Sequence, residues 1–529
     1  MKAIKKALAT SAIAGGMIFS LAACSNEEGL RLTNGDQPFL TTSLEEISNQ
    51  QAFEAMLSRN GAGALMDLVD FDILSSQFEV NHEGVAETLA TIQEANSDDW
   101  EGFMLLQGFS ADEEIVRLLE LEDLRQQAAR ASIVITDEEL QEFYDFRFPA
   151  ELIGEETEEA EYEEEAEETN EEANEPVERP ALAEVEDQLR EELVFNRLTA
   201  TVIQQELARR RVDAGLVILD PYLKSLYENF LTGNSVNIEN LSVATNETSQ
   251  TVAARVGDVE ITADDLFEEL VPVVGLTVGV SLADPAILRE SFAVEQSAVR
   301  ALTDQYKLQF GAQFYPAMAA QGLQNDDEIF AHFELLLLQE AAFNQTYNPS
   351  EERLQELYEA FHPNISARHI LVETEEEAKD LIARIEAADD VEAIFIELAT
   401  EYSMDPGSGA QGGDLGSFQY GMMVPTFNDA AFALEVGEFT HEPVESQFGF
   451  HIIYKYDADE RPVFEDIAEE LRSQELANLY NDNVARLERI LINLRAEAQF
   501  SFANARLQER YDFIVANILE NAEAAENNR

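Results

Sequence analysis

The sequence predicts an α+β protein: a small mixed domain inserted in a mainly α-helical body that occurs twice. Three observations carry the prediction. Stretches such as "VEDQLREELVFNRLTATVIQQELARR" and "LANLYNDNVARLERILINLRAEA" place apolar residues at i, i+3, i+4 and i+7, the spacing of a helix with one buried face. Four segments of the first half recur in the same order in the second. Residues 363–460 differ from both, with a strand-like alternation and a glycine-rich run.

From the N-terminus, "MKAIKKALATSAIAGGMIFSLAAC" sets Lys2, Lys5 and Lys6 before an apolar stretch and small residues. This pattern is a secretory signal peptide, residues 1–23, and is excluded from the fold. "LAAC" at 21–24 resembles a bacterial lipobox, which implies that Cys24 is diacylated and becomes the mature N-terminus. The alternative is a short transmembrane anchor, for which the apolar run is short. Cys24 is the single cysteine of the chain, so no intrachain disulfide and no cysteine-based metal site can form.

A chain of 529 residues exceeds one core, and 45% hydrophobic residues argue against wholesale disorder. Against 106 Asp and Glu stand 33 Lys and Arg, a net charge of −73, which excludes a nucleic-acid partner. Losing the leader removes three lysines and no acid, and makes the body more anionic still. Such a body on an anionic leaflet would be held by lipid, without help from surface charge. Only seven of the basic residues are Lys, and that surface suits a saline habitat, where screening mutes self-repulsion. An ordinary acidic secreted protein is the alternative.

The repeated segments come next. "ITDEELQEFYDFRFP" (135–149) matches "PSEERLQELYEAFHP" (349–363), and "LAEVEDQLREEL" (182–193) matches "FEDIAEELRSQEL" (464–476). "DAGLVILDPYLKSLYENF" (213–230) pairs with "EAQFSFANARLQERYDFI" (497–514), and "LRLTNGDQPFLTTSLEEI" (30–47) with "AARVGDVEITADDLFEEL" (253–270). Four ordered matches indicate an internal duplication, roughly 28–235 and 250–520. The first copy, 24–245, carries an acidic loop at 150–180, in which 13 of the 22 residues from 155 to 176 are Glu. That run reads as a solvated, disordered loop, with ligand spacing too irregular for a calcium site. The second copy comprises 246–362 and 461–529, split by the inserted block.

Within that block, Ile365–Val372 alternates as a strand, Glu375–Ala387 is an amphipathic helix, and "VEAIFIELATEYS" continues helically. A glycine-rich segment, "YSMDPGSGAQGGDLGSFQYGMMVPTF", leads to a short helix "NDAAFALEV", a turn and a last strand "GFHIIYKYD". From "ARHILV" through "GEFTHEPVESQFGFHIIY", residues 364–458 resemble the parvulin family of peptidyl-prolyl cis-trans isomerases. Lipobox, flanking helices and insertion together resemble the PrsA family, the lipid-anchored extracytoplasmic foldases of Gram-positive bacteria. The resemblance implies a proline pocket of Leu415, Met423 and Phe427, with Phe448 also against the substrate. It implies a catalytic cluster of His369, Asp405, Ser446 and His451.

Isomerising an X–Pro bond needs no nucleophile, metal or cofactor; the site must bind the twisted amide better than the planar one. An apolar slot and a facing polar cluster are what that requires. Asp405 stands where the family places an acid or a cysteine, so a covalent route is not open. Strand histidines and a Met–Phe pair are otherwise ordinary core, and their order after "GGDLGSFQYG" is what favours the site. His82, His332, His362 and His441 fit no constellation and read as surface or packing residues. "ETEEEAKD" (373–380) stands where phosphate-directed parvulins carry basic residues, so the expected substrate is unmodified X–Pro in unfolded exported proteins. The expected function is a membrane-anchored foldase; the alternative is a holdase using the parvulin fold only to bind peptide. A homodimer or an intrachain pseudo-dimer would follow from the helical parts.

Overall fold

The computed structural model describes residues 29–149, 179–237, 243, 247–321, 323, 325–482 and 485–527. The leader, Cys24 and most of the acidic loop lie outside the described residues. The first half runs β1 (Pro38–Thr41), β2 (Glu46–Ser48), α1 (Asn49–Ser75), α2 (His82–Ala95), α3 (Trp100–Gln107), α4 (Asp112–Ser132) and α5 (Asp137–Arg147). It continues with α6 (Leu182–Arg197), α7 (Ala200–Asp213), β3 (Leu216–Ile218) and α8 (Pro221–Gly233). The second opens with β4 (Val252–Val256), β5 (Val259–Thr262), α9 (Ala263–Ser291), α10 (Gln296–Phe310), α11 (Phe314–Ala320), α12 (Asp326–Thr346) and α13 (Glu351–Glu359). The inserted block follows: β6 (Ile365–Val372), α14 (Glu375–Glu386), α15 (Val391–Tyr402), β7 (Asp414–Phe418), α16 (Pro425–Ala433), β8 (Val444–Ser446) and β9 (Gly449–Ala458). Last come α17 (Phe464–Asp482), α18 (Ala485–Glu497), β10 (Ser501–Phe502) and α19 (Ala505–Asn527). Long helices around small sheets make the chain the expected α+β protein.

Two compact units result, one of residues 1–343 with 485–529, the other Asn344–Val484. In the first, α1 and α9 lie together along a shared core that contains Phe53, Leu65, Leu74, Leu266, Leu270 and Leu282. Both begin with a capping box: Ser48 with Gln51, and Thr262 with Asp265. Among the described residues α9 alone is long and apolar enough to cross a membrane, yet its Leu266, Val278, Leu282 and Ile287 are buried in this core.

The two sheets of this unit have orders β10-β1-β2 and β3-β4-β5. The return strand of each half therefore pairs with the opening strand of the other. Registers agree: Leu40 faces Phe502 in one sheet, and Ala254 faces Ile218 in the other. Gly279 on α9 makes room for the incoming strand, since a Cβ there would lie 2.3 Å from the Phe502 ring. A buried ion pair also occurs twice. Arg211 of α7 donates to Asp70 of α1 at 2.6 and 2.8 Å, and Arg495 of α18 to Asp284 of α9 at 2.7 and 2.8 Å.

The second unit holds the inserted block together with α13 and α17. These two helices pack through Leu354, Ile467 and Leu471, and the Tyr358 hydroxyl donates to the Pro462 carbonyl at 2.9 Å. The α5–α6 hairpin of the first unit is built alike, on Leu140, Tyr144 and Leu189, with the Tyr144 hydroxyl donating to Pro180. Arg179 lies over the Tyr144 ring at 4.3 Å and Arg461 over Tyr358 at 4.5 Å. The block itself forms an antiparallel sheet of order β7-β6-β9-β8. One face of β6, with Ile370 and Val372, packs against α14 and α15; the other carries Ile365, Ala367 and His369.

Candidate active site

Strand alternation puts His369 of β6 and His451 of β9 on the same face as a diagonal pair, His369 facing Ile453 and His451 facing Leu371. The rings stack 5.4 Å apart at 18°, with Nδ1 atoms 3.2 Å from each other, and both side chains are buried. On the far side of His369, Nε2 lies 2.9 Å from Asp405 Oδ2. On the far side of His451, Nε2 lies 2.7 Å from Ser446 Oγ. The four polar residues expected from the sequence thus form one continuous chain from three strands and a loop.

The loop owes its shape to its glycines. Gly413 has φ +72, and its carbonyl accepts the His369 amide at 2.8 Å. A Cβ on Gly413 would sit 2.1 Å from the His369 carbonyl oxygen, so only glycine lets the loop run this close to β6. Asp405 opens the loop and accepts the Gly407 amide at 3.0 Å and the Ser408 amide at 3.1 Å. Ser408 Oγ also donates to Asp405 Oδ2 and lies 3.1 Å from His369 Nε2.

Burial alone would raise the Asp405 carboxyl. The bonds from Ser408, His369 and Gly407 outweigh it and hold the group well below the usual carboxylate range. An ionised Asp405 sets every proton in the chain. With both rings neutral, His369 donates from Nε2 and accepts at Nδ1; His451 then donates from Nδ1, and its Nε2 accepts the Ser446 hydroxyl. Burial, with the neighbouring His369 adding to it, pushes the His451 pKa down to about 4, Asp405 opposing.

Phe427 ties this chain to an apolar cluster. Its ring is edge-on to His369 at 5.6 Å and to His451 at 5.2 Å. It belongs to a cluster with Ile365, Phe418 and Ile453, against which Leu415 and Met423 pack half-buried. Phe448 does not join that cluster. It sits 59% exposed in the β8–β9 turn, its amide donating to Ser446 Oγ at 3.1 Å. A cavity of about 760 Å³ in the same unit is lined by Thr374, Glu377, Asp380, Leu381, Arg384 and Tyr402, and holds none of these residues.

Sequence reasoning missed Ser408, although an Asp-x-x-Ser spacing is the pattern of a side chain capping its own turn. The remaining histidines take other places. His441 pairs with Glu386 at 2.9 Å, His82 lies 3.4 Å from Glu120, and His362 stacks on Tyr420. His332 is buried beside Phe333.

Residues 353–458 match the family model of the PPIC-type peptidyl-prolyl isomerase domain. The foldase protein PrsA of Geobacillus kaustophilus is 33% identical over 237 residues, 45% of this chain and 81% of its own. That of Oceanobacillus iheyensis is 34% identical over 249 residues, 46% of this chain and 82% of its own. The crystal structure of the peptidylprolyl isomerase PrsA from Bacillus cereus aligns with a TM-score of 0.34 at 29% identity, covering 48% of this chain and 95% of that one.

Proposed function

The chain belongs to the PrsA family of foldases, and from that premise we propose a membrane-anchored extracytoplasmic foldase that isomerises X–Pro bonds in exported proteins and chaperones their folding. The enzyme is a peptidyl-prolyl cis-trans isomerase of the parvulin type. The observation that carries the reading is the contact of Phe427 with both histidines, which joins an apolar cluster to a fixed anion. Leu415, Met423 and Phe427 would seat the pyrrolidine ring. The X–Pro carbonyl would then lie toward Asp405, with His369, His451 and Ser446 holding that carboxylate in place. A planar amide owes its barrier, about 18–20 kcal/mol, to a resonance form with negative oxygen and positive nitrogen. A carboxylate near that oxygen disfavours the form, and so favours the twisted amide over the planar one.

The leader and lipobox support secretion and diacylation at Cys24, with lipid holding an acidic body to the outer face of the membrane. The two halves read as copies of one unit that exchange a strand, a pseudo-dimer within one chain. Relatives that cover most of their own length on under half of this chain agree with that reading. The first copy keeps its hairpin without an isomerase, which favours a chaperone role for the helical body itself. The deciding experiment follows cis/trans relaxation of an Ala-Pro peptide at high salt. Acceleration supports the isomerase; suppressed aggregation of an unfolded client without acceleration would leave only the holdase.

A further inference from the structure

Asp405 Oδ2 receives three donors, His369 Nε2, the Ser408 amide and the Ser408 hydroxyl, whereas Oδ1 receives the Gly407 amide. Ser408 itself is 3% exposed, and its carbonyl accepts the amides of Gln411 at 2.8 Å and Gly413 at 2.9 Å. Its hydroxyl is therefore fixed by the same loop that closes onto β6. The Asp405 side chain, in contrast, is 24% exposed and reaches the surface of the site.

We propose that Ser408 is a positioning residue for the isomerisation. Its hydroxyl, by occupying Oδ2, locks the Asp405 carboxylate and the His369 ring edge in one arrangement and leaves Oδ1 the oxygen with spare capacity. Three atoms, Asp405 Oδ2, Ser408 Oγ and His369 Nε2, make a closed triangle with little room for water. Without the hydroxyl, Asp405 keeps its backbone donors but can rotate about χ2, and the His369 Nε2 proton becomes open to solvent. Ser408 has no part in binding the substrate, so its loss should touch the rate and spare affinity. The inference rests on the isomerase reading of this site.

The test uses the mature soluble chain and Ser408→Ala, in which the Cβ remains and the loop keeps its backbone bonds. Exchange of the His369 Nε2 proton with water, followed by NMR without substrate, is expected to quicken at least tenfold. The kcat for an Ala-Pro peptide is expected to fall about tenfold with KM unchanged, in keeping with one lost bond to a charged group. In an Asp405→Asn background the same substitution should change kcat little, because the two act as a unit. Unchanged proton exchange, or equal losses of kcat in both backgrounds, overturns the proposal. A parent chain that fails to accelerate isomerisation overturns the isomerase reading instead, while the exchange measurement still decides the role of Ser408.

Discussion

His369 and His451 meet Nδ1 to Nδ1 at 3.2 Å, and one proton fits between them. A second would set two N–H donors face to face in a buried site. Burial first, then His369, keeps His451 neutral until about pH 4. The unfolded chain binds that proton near 6.5. Between about 6.5 and 4 the unfolded state therefore holds more protons, and stability is lost as pH falls through that window. Urea unfolding of the full chain should show the decline, and His451→Gln should flatten it. A His451 that titrates above 6 in an NMR experiment would contradict this.

Gly413→Ala should abolish isomerase activity and destabilise the domain. The new methyl would lie 2.1 Å from the His369 carbonyl, in a left-handed conformation that L residues adopt reluctantly. Relief requires pulling the loop off β6, which breaks the hydrogen bond from the His369 amide to the Gly413 carbonyl. Activity retained with an unchanged melting temperature would show that the loop can close another way.

Met423→Ala should lower kcat/KM by about tenfold, the scale of about 1–3 kcal/mol lost from an apolar pocket. Suppression of client aggregation should persist, since Met423 lies in the isomerase block. Phe427→Ala is the harsher change: the ring is buried, and its loss should cost about 3–5 kcal/mol of stability. Loss of both activities in Met423→Ala would mean that the isomerase and chaperone functions are not separable.

What could be read from the sequence divides by the range of the interaction. Ile365–Val372 was legible as a strand to the residue, because alternation and β-branched side chains act locally. His369, Asp405, Ser446 and His451 were placed through resemblance, and the strand pairing brings them together across up to 82 positions. Strands β7 and β8 escaped notice: five and three residues at the edges of a sheet carry almost no pattern. The N-terminal match was seen but displaced. By its caps the chain aligns Ser48 with Thr262, nine residues from the string pairing of 30 with 253. The partners of β3 and β10 could not be read at all, since a strand of two or three residues does not encode which sheet accepts it.

The structure buries the paired acids Asp70 and Asp284 in the helical core. Asp284→Ala would remove two bonds from Arg495 and leave it buried on Glu488 alone, at a cost of about 3 kcal/mol. Asp70→Ala should cost as much, for it strands Arg211 and also loses the bond from Arg125, which donates to Asp70 at 2.7 Å. Equilibrium unfolding of each variant gives the values. A loss under about 1 kcal/mol at either position would mean that water reaches the arginine and that the pair is not held in a closed core.

Strand exchange makes the last prediction. Thr41 of β1 faces Ser501 of β10, and the mature soluble chain without Cys24 has no other thiol. Thr41→Cys with Ser501→Cys should oxidise to a disulfide across that pair, whose antiparallel spacing of about 4.5–5.5 Å between Cα atoms suits the bond. If both halves of the sheet come from one chain, the oxidised protein runs as a monomer on a denaturing gel and by light scattering. Covalent dimers would place β10 in the sheet of a second molecule, and the pseudo-dimer would then be a true one. The mirror pair, Val217→Cys with Arg255→Cys across β3 and β4, should give the same answer, because the two registers are alike. Monomers from both pairs establish closed intrachain exchange, since in an open, chain-to-chain one either pair would link successive molecules into ladders.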